Sequence, residues 1–258
     1  PYPLLRSLVG WDMCISDCCS PGAPGLQTTS HGQPKIVDVV DGSGSGDVDM
    51  SETFEATDNS LIGLTGRTLK LGSDWDNKNG KWRLGIKAAY ELFPSALVSR
   101  LKSERKKEWD KKQHERSAAL QASLAEFDEA NASPKGEKKR ERAEIQAKID
   151  LISSFNSSYN DPGPIYDCVA FYDGKVWRAA VDTDEDGDFN DEKLMTNFRT
   201  ERQWASFGKQ SMMNFALNIY DDGDTLSIVT DVGAHGTHVA GIVAANYPEK
   251  PELNGIAP

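Results

Sequence analysis

The chain has 258 residues, 38% hydrophobic and 27% charged, and its 40 Asp and Glu outnumber its 29 Lys and Arg for a formal net charge of −11. That length holds one large domain or a core plus an insertion, and two units are expected. The acidic balance repels phosphate backbones, which argues against a nucleic-acid partner, and no apolar run approaches the roughly 18 residues that cross a membrane.

Residues 1 to 34 are rich in Gly, Pro, Ser and Cys, and Pro21-Gly22-Ala23-Pro24-Gly25 marks a turn or loop. Cys14, Cys18 and Cys19 crowd the N-terminus while Cys168 stands alone, so a disulfide framework is not expected and a reducing compartment fits better. Pro1 to Val9 lacks the apolar segment and cleavage site of a secretory signal, which makes a cytoplasmic location the expectation. A Cys cluster without His or a second cluster is a poor zinc site, and this one reads as a divergent, misjoined or mistranslated terminus. Ile36-Val37-Asp38-Val39-Val40 then reads as a short buried strand. Gly42-Ser43-Gly44-Ser45-Gly46-Asp47 imitates a phosphate-cradling loop, but no Lys-Ser/Thr pair or helix signal comes after it, so a flexible turn is the expectation.

From Ile62 to Ile86 scattered apolar residues among glycines suggest brief strands. Helical spacing begins after Pro94. Leu97 and Leu101, then Leu120, Leu124 and Phe127, predict a helix from Ser95 to about Ala130, ended by Asn131-Ala132-Ser133-Pro134-Lys135-Gly136. Ile145, Ile149 and Ile152 form the stripe of a second helix, and the short loop makes the pair an antiparallel hairpin over residues 95–155. The basic run from Arg100 to Lys112 is broken by Glu104, Glu108 and Asp110 and reads as a solvated helix face.

Ile165 to Ala180 alternates around Asp173-Gly174, a tight-hairpin dipeptide, and a second hairpin runs through Phe215 to Tyr220, turns at Asp221-Asp222-Gly223-Asp224 and returns along Leu226 to Val229. Between them, Asp182-Thr183-Asp184-Glu185-Asp186-Gly187-Asp188 has the acid spacing of an EF-hand loop. Its twelfth position is Lys193 rather than Glu, and clear flanking helices are missing, so an acidic turn is preferred to a calcium site. No metal and no cofactor are expected.

The segment that carries chemistry is Gly233-Ala234-His235-Gly236-Thr237-His238-Val239-Ala240-Gly241-Ile242-Val243-Ala244-Ala245, which leaves a strand and enters a helix of small residues. Gly inside a helix loses about 1 kcal/mol relative to Ala, so Gly236 and Gly241 suggest close approach of substrate or a neighbouring element. A histidine at a helix start can exchange a proton with a cleft near neutral pH. A lone His beside an apolar stretch is usually a satisfied core residue, and a His pair three apart could bind metal, but no third ligand is suitably spaced.

This block resembles the active-site histidine block of the subtilase family. The resemblance implies that His235 is the general base and His238 a structural histidine of the same helix. Ordinary subtilases place the aspartate block only a few dozen residues earlier, whereas here more than two hundred residues intervene. A long insertion at that point, with Pro34-Lys35-Ile36-Val37-Asp38, Asp161-Pro162-Gly163-Pro164-Ile165-Tyr166-Asp167-Cys168 and Asn218-Ile219-Tyr220-Asp221-Asp222-Gly223, resembles the tripeptidyl-peptidase branch. That branch has Asp-Thr-Gly-Val-Asp before the Pro-Gly-Ala-Pro-Gly loop, which puts the triad aspartate position on Ser16. A serine there cannot stabilise the imidazolium, and Asp17 and Asp41 are out of register.

The resemblance implies an α/β fold: a partial subtilase core, parallel sheet with helices, carrying a long α+β insertion that contains the helical hairpin. Residues 1–50 begin the core, 51–210 form the insertion, and 211–258 return to the core with the histidine block. The implied activity is a serine peptidase that releases tripeptides from oligopeptides with a free N-terminus, in a protein that forms a homo-oligomer. The isolated chain, without its serine and in-register aspartate, is expected to be inactive. The alternative is a non-catalytic assembly module of the oligomer.

Overall fold

The computed structural model describes residues 20–230 and 233–258. Ser16, Asp17, Cys14, Cys18 and Cys19 lie outside the described residues. The chain divides into two compact units, one built from the described residues of Pro1–Pro94 with Pro164–Pro258, the other from Ser95–Gly163.

Among its described residues the first unit holds ten strands, in two four-stranded sheets and a hairpin. β1 (Asp47–Asp49), β2 (Thr53–Glu55), β3 (Ser60–Ile62), β4 (Thr68–Lys70) and β5 (Lys81–Ala88) precede the helical unit. β6 (Ile165–Tyr172), β7 (Trp177–Val181), β8 (Ala205–Ser206), β9 (Asn214–Tyr220) and β10 (Thr225–Thr230) come after it. One sheet has the order β1-β10-β9-β8, the other β2-β5-β6-β7, and β3 pairs with β4. All strand pairings among the described residues are antiparallel. Short turns join most successive strands, and a parallel crossover would need a dozen residues or more.

Central strands are covered on both faces: six consecutive residues of β6, Tyr166 to Phe171, are buried, as are five of β9, with Asp167 and Asn218 the polar members of these runs. A core cluster of Leu61, Leu69, Leu71, Trp82, Leu84, Val169, Phe171, Ala180 and Phe189 fills one side of the β2-β5-β6-β7 sheet. Its rings meet at 4.8 Å for Trp82 and Phe171 and 5.5 Å for Trp75 and Phe171. The Asp173-Gly174 turn forms as expected: Asp173 Oδ1 accepts the N–H groups of Lys175 and Val176 at 2.8 Å, and Gly174 takes φ +95°.

The Ile36–Val40 segment is not a buried strand. It pairs with no strand among the described residues, and Val37 is 57% and Val40 55% exposed. A strand needs a neighbour to complete its ladder, and here the Val39 N–H bonds to Asp38 Oδ1 at 2.9 Å while Asn218 Nδ2 donates to the Val39 carbonyl at 2.6 Å. Side chains have taken the place of a partner strand.

The second unit is the helical hairpin: α1 (Ser95–Ala130), about 54 Å long at 1.5 Å per residue, and α2 (Glu137–Ser158). Asp128 pairs with Arg142 at 2.7 Å near the loop, and Trp109 stacks on Tyr159 at 4.5 Å near the other end, which fixes the helices as antiparallel. Leu120, Leu124, Phe127, Ile145, Ile149 and Ile152 are only half-buried, and no residue of α2 is fully buried. Removing the ring at the centre of the sheet core, Phe171→Ala, is expected to cost about 3–5 kcal/mol; thermal unfolding of the variant checks this, and a melting temperature within a degree of wild type would show that Phe171 is not central.

Candidate active site

β10 is aimed by its neighbours. β1 and β9 pair with it on either side, and the Ile228 N–H donates to the Gly46 carbonyl at 2.9 Å. A Cβ on Gly46 would come 2.0 Å from the Ile228 oxygen, so only glycine lets the chain approach there. The chain runs from β10 to α3 (Ala234–Ala244), with Gly233 as its extended N-cap. His235 lies in the first turn of α3 with an exposed side chain, and His238, one turn on, is also exposed. The helix end is closed by Gly255, Ile256 and Ala257, whose N–H groups donate to the carbonyls of Ala245, Ile242 and Val243, and by Lys35 Nζ on the Ala244 carbonyl. The expected close approach at Gly241 is not seen: a Cβ there would meet nothing within 4 Å of the described residues.

The Pro-Gly-Ala-Pro-Gly loop lies along this helix. Ser20 N donates to Thr237 Oγ1 at 2.9 Å, Asn246 N to the Gly25 carbonyl at 2.9 Å, and Tyr247 Oη to the Pro24 carbonyl at 3.0 Å. Gly25 has φ +78°, and a Cβ would come 2.7 Å from the Tyr247 ring. Position 16, four residues before Ser20, lies outside the described residues.

Asp41 is committed elsewhere. Its carboxylate accepts Ser43 N at 2.8 Å, Ser43 Oγ at 2.6 Å, Gly46 N at 2.9 Å and Ser45 Oγ at 3.3 Å. Burial alone would raise its pKa, but these donors together hold it below the usual carboxylate range. The glycine-serine loop is therefore a turn, as expected, internally bonded with donors that already hold an anion, and not a phosphate cradle. Nor is Cys168 a substitute nucleophile: it is buried in β6, and burial first, then the Asp167 and Asp182 charges, push its thiol far up.

Residues 36–258 match the family model of the subtilases, Peptidase S8. The chain belongs to the subtilase family. It is 45% identical over 246 residues to tripeptidyl-peptidase 2 of Oryza sativa subsp. japonica and 44% to that of Arabidopsis thaliana, in each case across 92% of this chain and 18% of the relative. The Caenorhabditis elegans protein of the same name is 35% identical. A crystal structure of tripeptidyl peptidase 2 shares the fold with a TM-score of 0.59 and 24% identity, over 93% of this chain and 18% of that one. The chain thus spans about a fifth of the length of these relatives.

The sequence singled out His235 but gave no sign of the residues that hold its helix. A hydroxyl in a His-Gly-Thr-His block and a proline-rich loop more than two hundred residues away carry no local sign that they meet. It also missed Arg67, whose guanidinium bridges Asp167 at 3.0 Å and Glu185 at 2.7 Å.

The acidic turn is built on its own donors. Carboxylate oxygens of Asp182, Asp184 and Asp186 lie within 4.8 Å of one another, close enough to share a divalent cation. Asp182 accepts Glu185 N at 2.9 Å and Gly187 N at 3.1 Å, and Asp186 accepts Asp188 N at 2.7 Å. Lys193, at the twelfth position, donates to the Trp204 carbonyl at 2.7 Å. Burial pushes Asp182 up to about 6, against the pull of Gly187 N and Arg67. Burial likewise pushes Glu192 up to about 7, against its bonds from Thr183, with the Asp184 and Asp182 charges adding to the rise. The unfolded chain releases such protons near pH 4, so between about pH 4 and 7 the folded state binds more of them. Stability is therefore expected to rise as pH falls from 7 towards about 5. Glu192→Gln is expected to flatten the dependence of melting temperature on pH in that window; a slope equal to wild type would rule Glu192 out as its source.

Proposed function

We propose that the chain is the part of a tripeptidyl-peptidase-type serine peptidase that carries the general base, and that the whole enzyme releases tripeptides from oligopeptides with a free N-terminus. The observation that carries this reading is His235 in the first turn of α3, exposed, within the segment matched to the subtilase family. In an acyl transfer of this kind the imidazole takes the proton of a serine hydroxyl as that oxygen attacks the scissile carbonyl. The same imidazole returns the proton to the leaving amine, and a carboxylate orients the ring and stabilises its charged form.

Two of those groups are not supplied by this chain. Its 258 residues contain no Gly-Thr-Ser-Met-Ser block, and position 16 holds serine where the family pattern has the aspartate. Alone it is expected to hydrolyse no peptide. The test is a chimera in which this chain replaces the matching segment of the rice relative, assayed on a fluorogenic tripeptide amide with a free amino terminus. The chimera is expected to be slow, to gain up to about 10⁴-fold in kcat with Ser16→Asp, and to lose that gain with His235→Ala. Unchanged turnover in the His235→Ala chimera would sink the reading.

One observation favours the second reading, an assembly surface on the hairpin. Leu151 and Phe155, one turn apart on α2, are 55% and 57% exposed, and helix faces of this kind gain by being covered. If they sit between copies of the chain, Leu151→Glu with Phe155→Glu lowers the sedimentation coefficient of the assembled protein. An unchanged coefficient removes the hairpin from the interface.

A further inference from the structure

The chain holds two Asn-Gly dipeptides, Asn79-Gly80 and Asn254-Gly255. An asparagine that precedes glycine can close on itself, because the next peptide nitrogen reaches the side-chain carbonyl carbon with no Cβ in the way. Closure needs freedom in both residues, and the fold places the two pairs in opposite situations. Asn79 and Gly80 are exposed, in the turn that leads into β5. Gly80 takes φ +68°, and a Cβ there would meet nothing within 4 Å of the described residues. Asn77 Oδ1 accepts the N–H groups of Asn79 at 3.3 Å and Gly80 at 3.1 Å. Asn79 Oδ1 accepts the Lys81 N–H at 2.9 Å, so the oxygen that gains negative charge when its carbon is attacked already faces a donor. All three bonds lie at the surface, where water replaces them at small cost when the turn opens.

Asn254 and Gly255 are half-buried and committed. Asn254 Oδ1 accepts the Tyr247 N–H at 2.6 Å, and the Gly255 N–H donates to the Ala245 carbonyl at 2.8 Å, one of the bonds that close the end of α3. A Cβ on Gly255 would come 2.6 Å from the Ala244 nitrogen, so the backbone there is packed against the helix end with no room to turn.

We propose that Asn79 is a site of spontaneous modification by deamidation, and that the fold exempts Asn254. The Gly80 nitrogen bonds to Asn79 Cγ as the Cγ–Nδ2 bond breaks. The Gly80 N–H proton, relayed by solvent, ends on the leaving nitrogen, which departs as ammonia and leaves a succinimide. Water then opens the ring at either carbonyl. Cleavage of the new bond to Cγ restores the ordinary backbone with an aspartate at position 79. Cleavage of the original peptide bond routes the backbone through the former side chain, as isoaspartate. Either product adds a negative charge. The isoaspartate also lengthens the backbone by one carbon and takes away the side-chain oxygen that holds the Lys81 N–H, at the first residue of β5.

The experiment holds the full chain at mildly alkaline pH, where the peptide nitrogen gives up its proton more readily, and samples it over days by peptide mass mapping. Enzymatic methylation marks the isoaspartate, and the same chain in denaturant is the reference. In the folded chain the peptide carrying Asn79 is expected to convert to the aspartate and isoaspartate pair while the peptide carrying Asn254 stays intact; in denaturant both are expected to convert. Asn79→Gln, whose longer side chain would have to close a larger ring, is expected to lose the conversion. An Asn79 that stays intact in the folded chain and converts only in denaturant is protected by its turn, which overturns the proposal. Equal conversion of both peptides in the folded chain overturns it too, because the fold then makes no difference between them. Conversion that persists in N79Q places the reaction at another residue and has the same consequence.

Discussion

β10, the last strand before the histidine helix, is held on both edges. An edge strand can twist or slip, and a one-residue slip would turn its side chains to the opposite face. Here β1 and β9 fix the register from both sides, and the Gly46 carbonyl adds a bond just beyond β1 that no residue with a Cβ could allow. His235 lies in the first turn of α3, whose far end is closed by the N–H groups of Gly255, Ile256 and Ala257.

The hairpins and the helices were legible because their signals are local. Asp173-Gly174 between alternating residues specifies a tight turn, and apolar residues three and four apart specify α1 and α2 regardless of what surrounds them. The Ile36–Val40 run failed for the complementary reason. Its branched apolar residues describe a surface that suits a sheet, but whether a strand is available to pair with them is a fact about the rest of the fold. Asn218, 179 residues away in sequence, takes the Val39 carbonyl instead.

The site shows the same division. The block singled out His235 as a candidate, whereas the contacts around its helix had no local sign, because each joins ordinary residues that meet only in the fold: Thr237 with Ser20, Tyr247 with Pro24, Lys35 with Ala244. Asp41 is the instructive opposite. A loop of glycines and serines reads as a set of donors in search of an anion, and that description is right, but the anion is the carboxylate at the loop's own start.

The two ends of the helical insertion close on each other: the Ala89 N–H donates to the Pro164 carbonyl at 2.9 Å, and β5 and β6, which lead into and out of it, are paired along their lengths. For a chain whose ends are already held together, extra residues add a loop-closure penalty that grows only logarithmically with length. The hairpin is in that sense strung between two posts that already touch, and evolution could lengthen, shorten or exchange it while the sheet kept the same strand register.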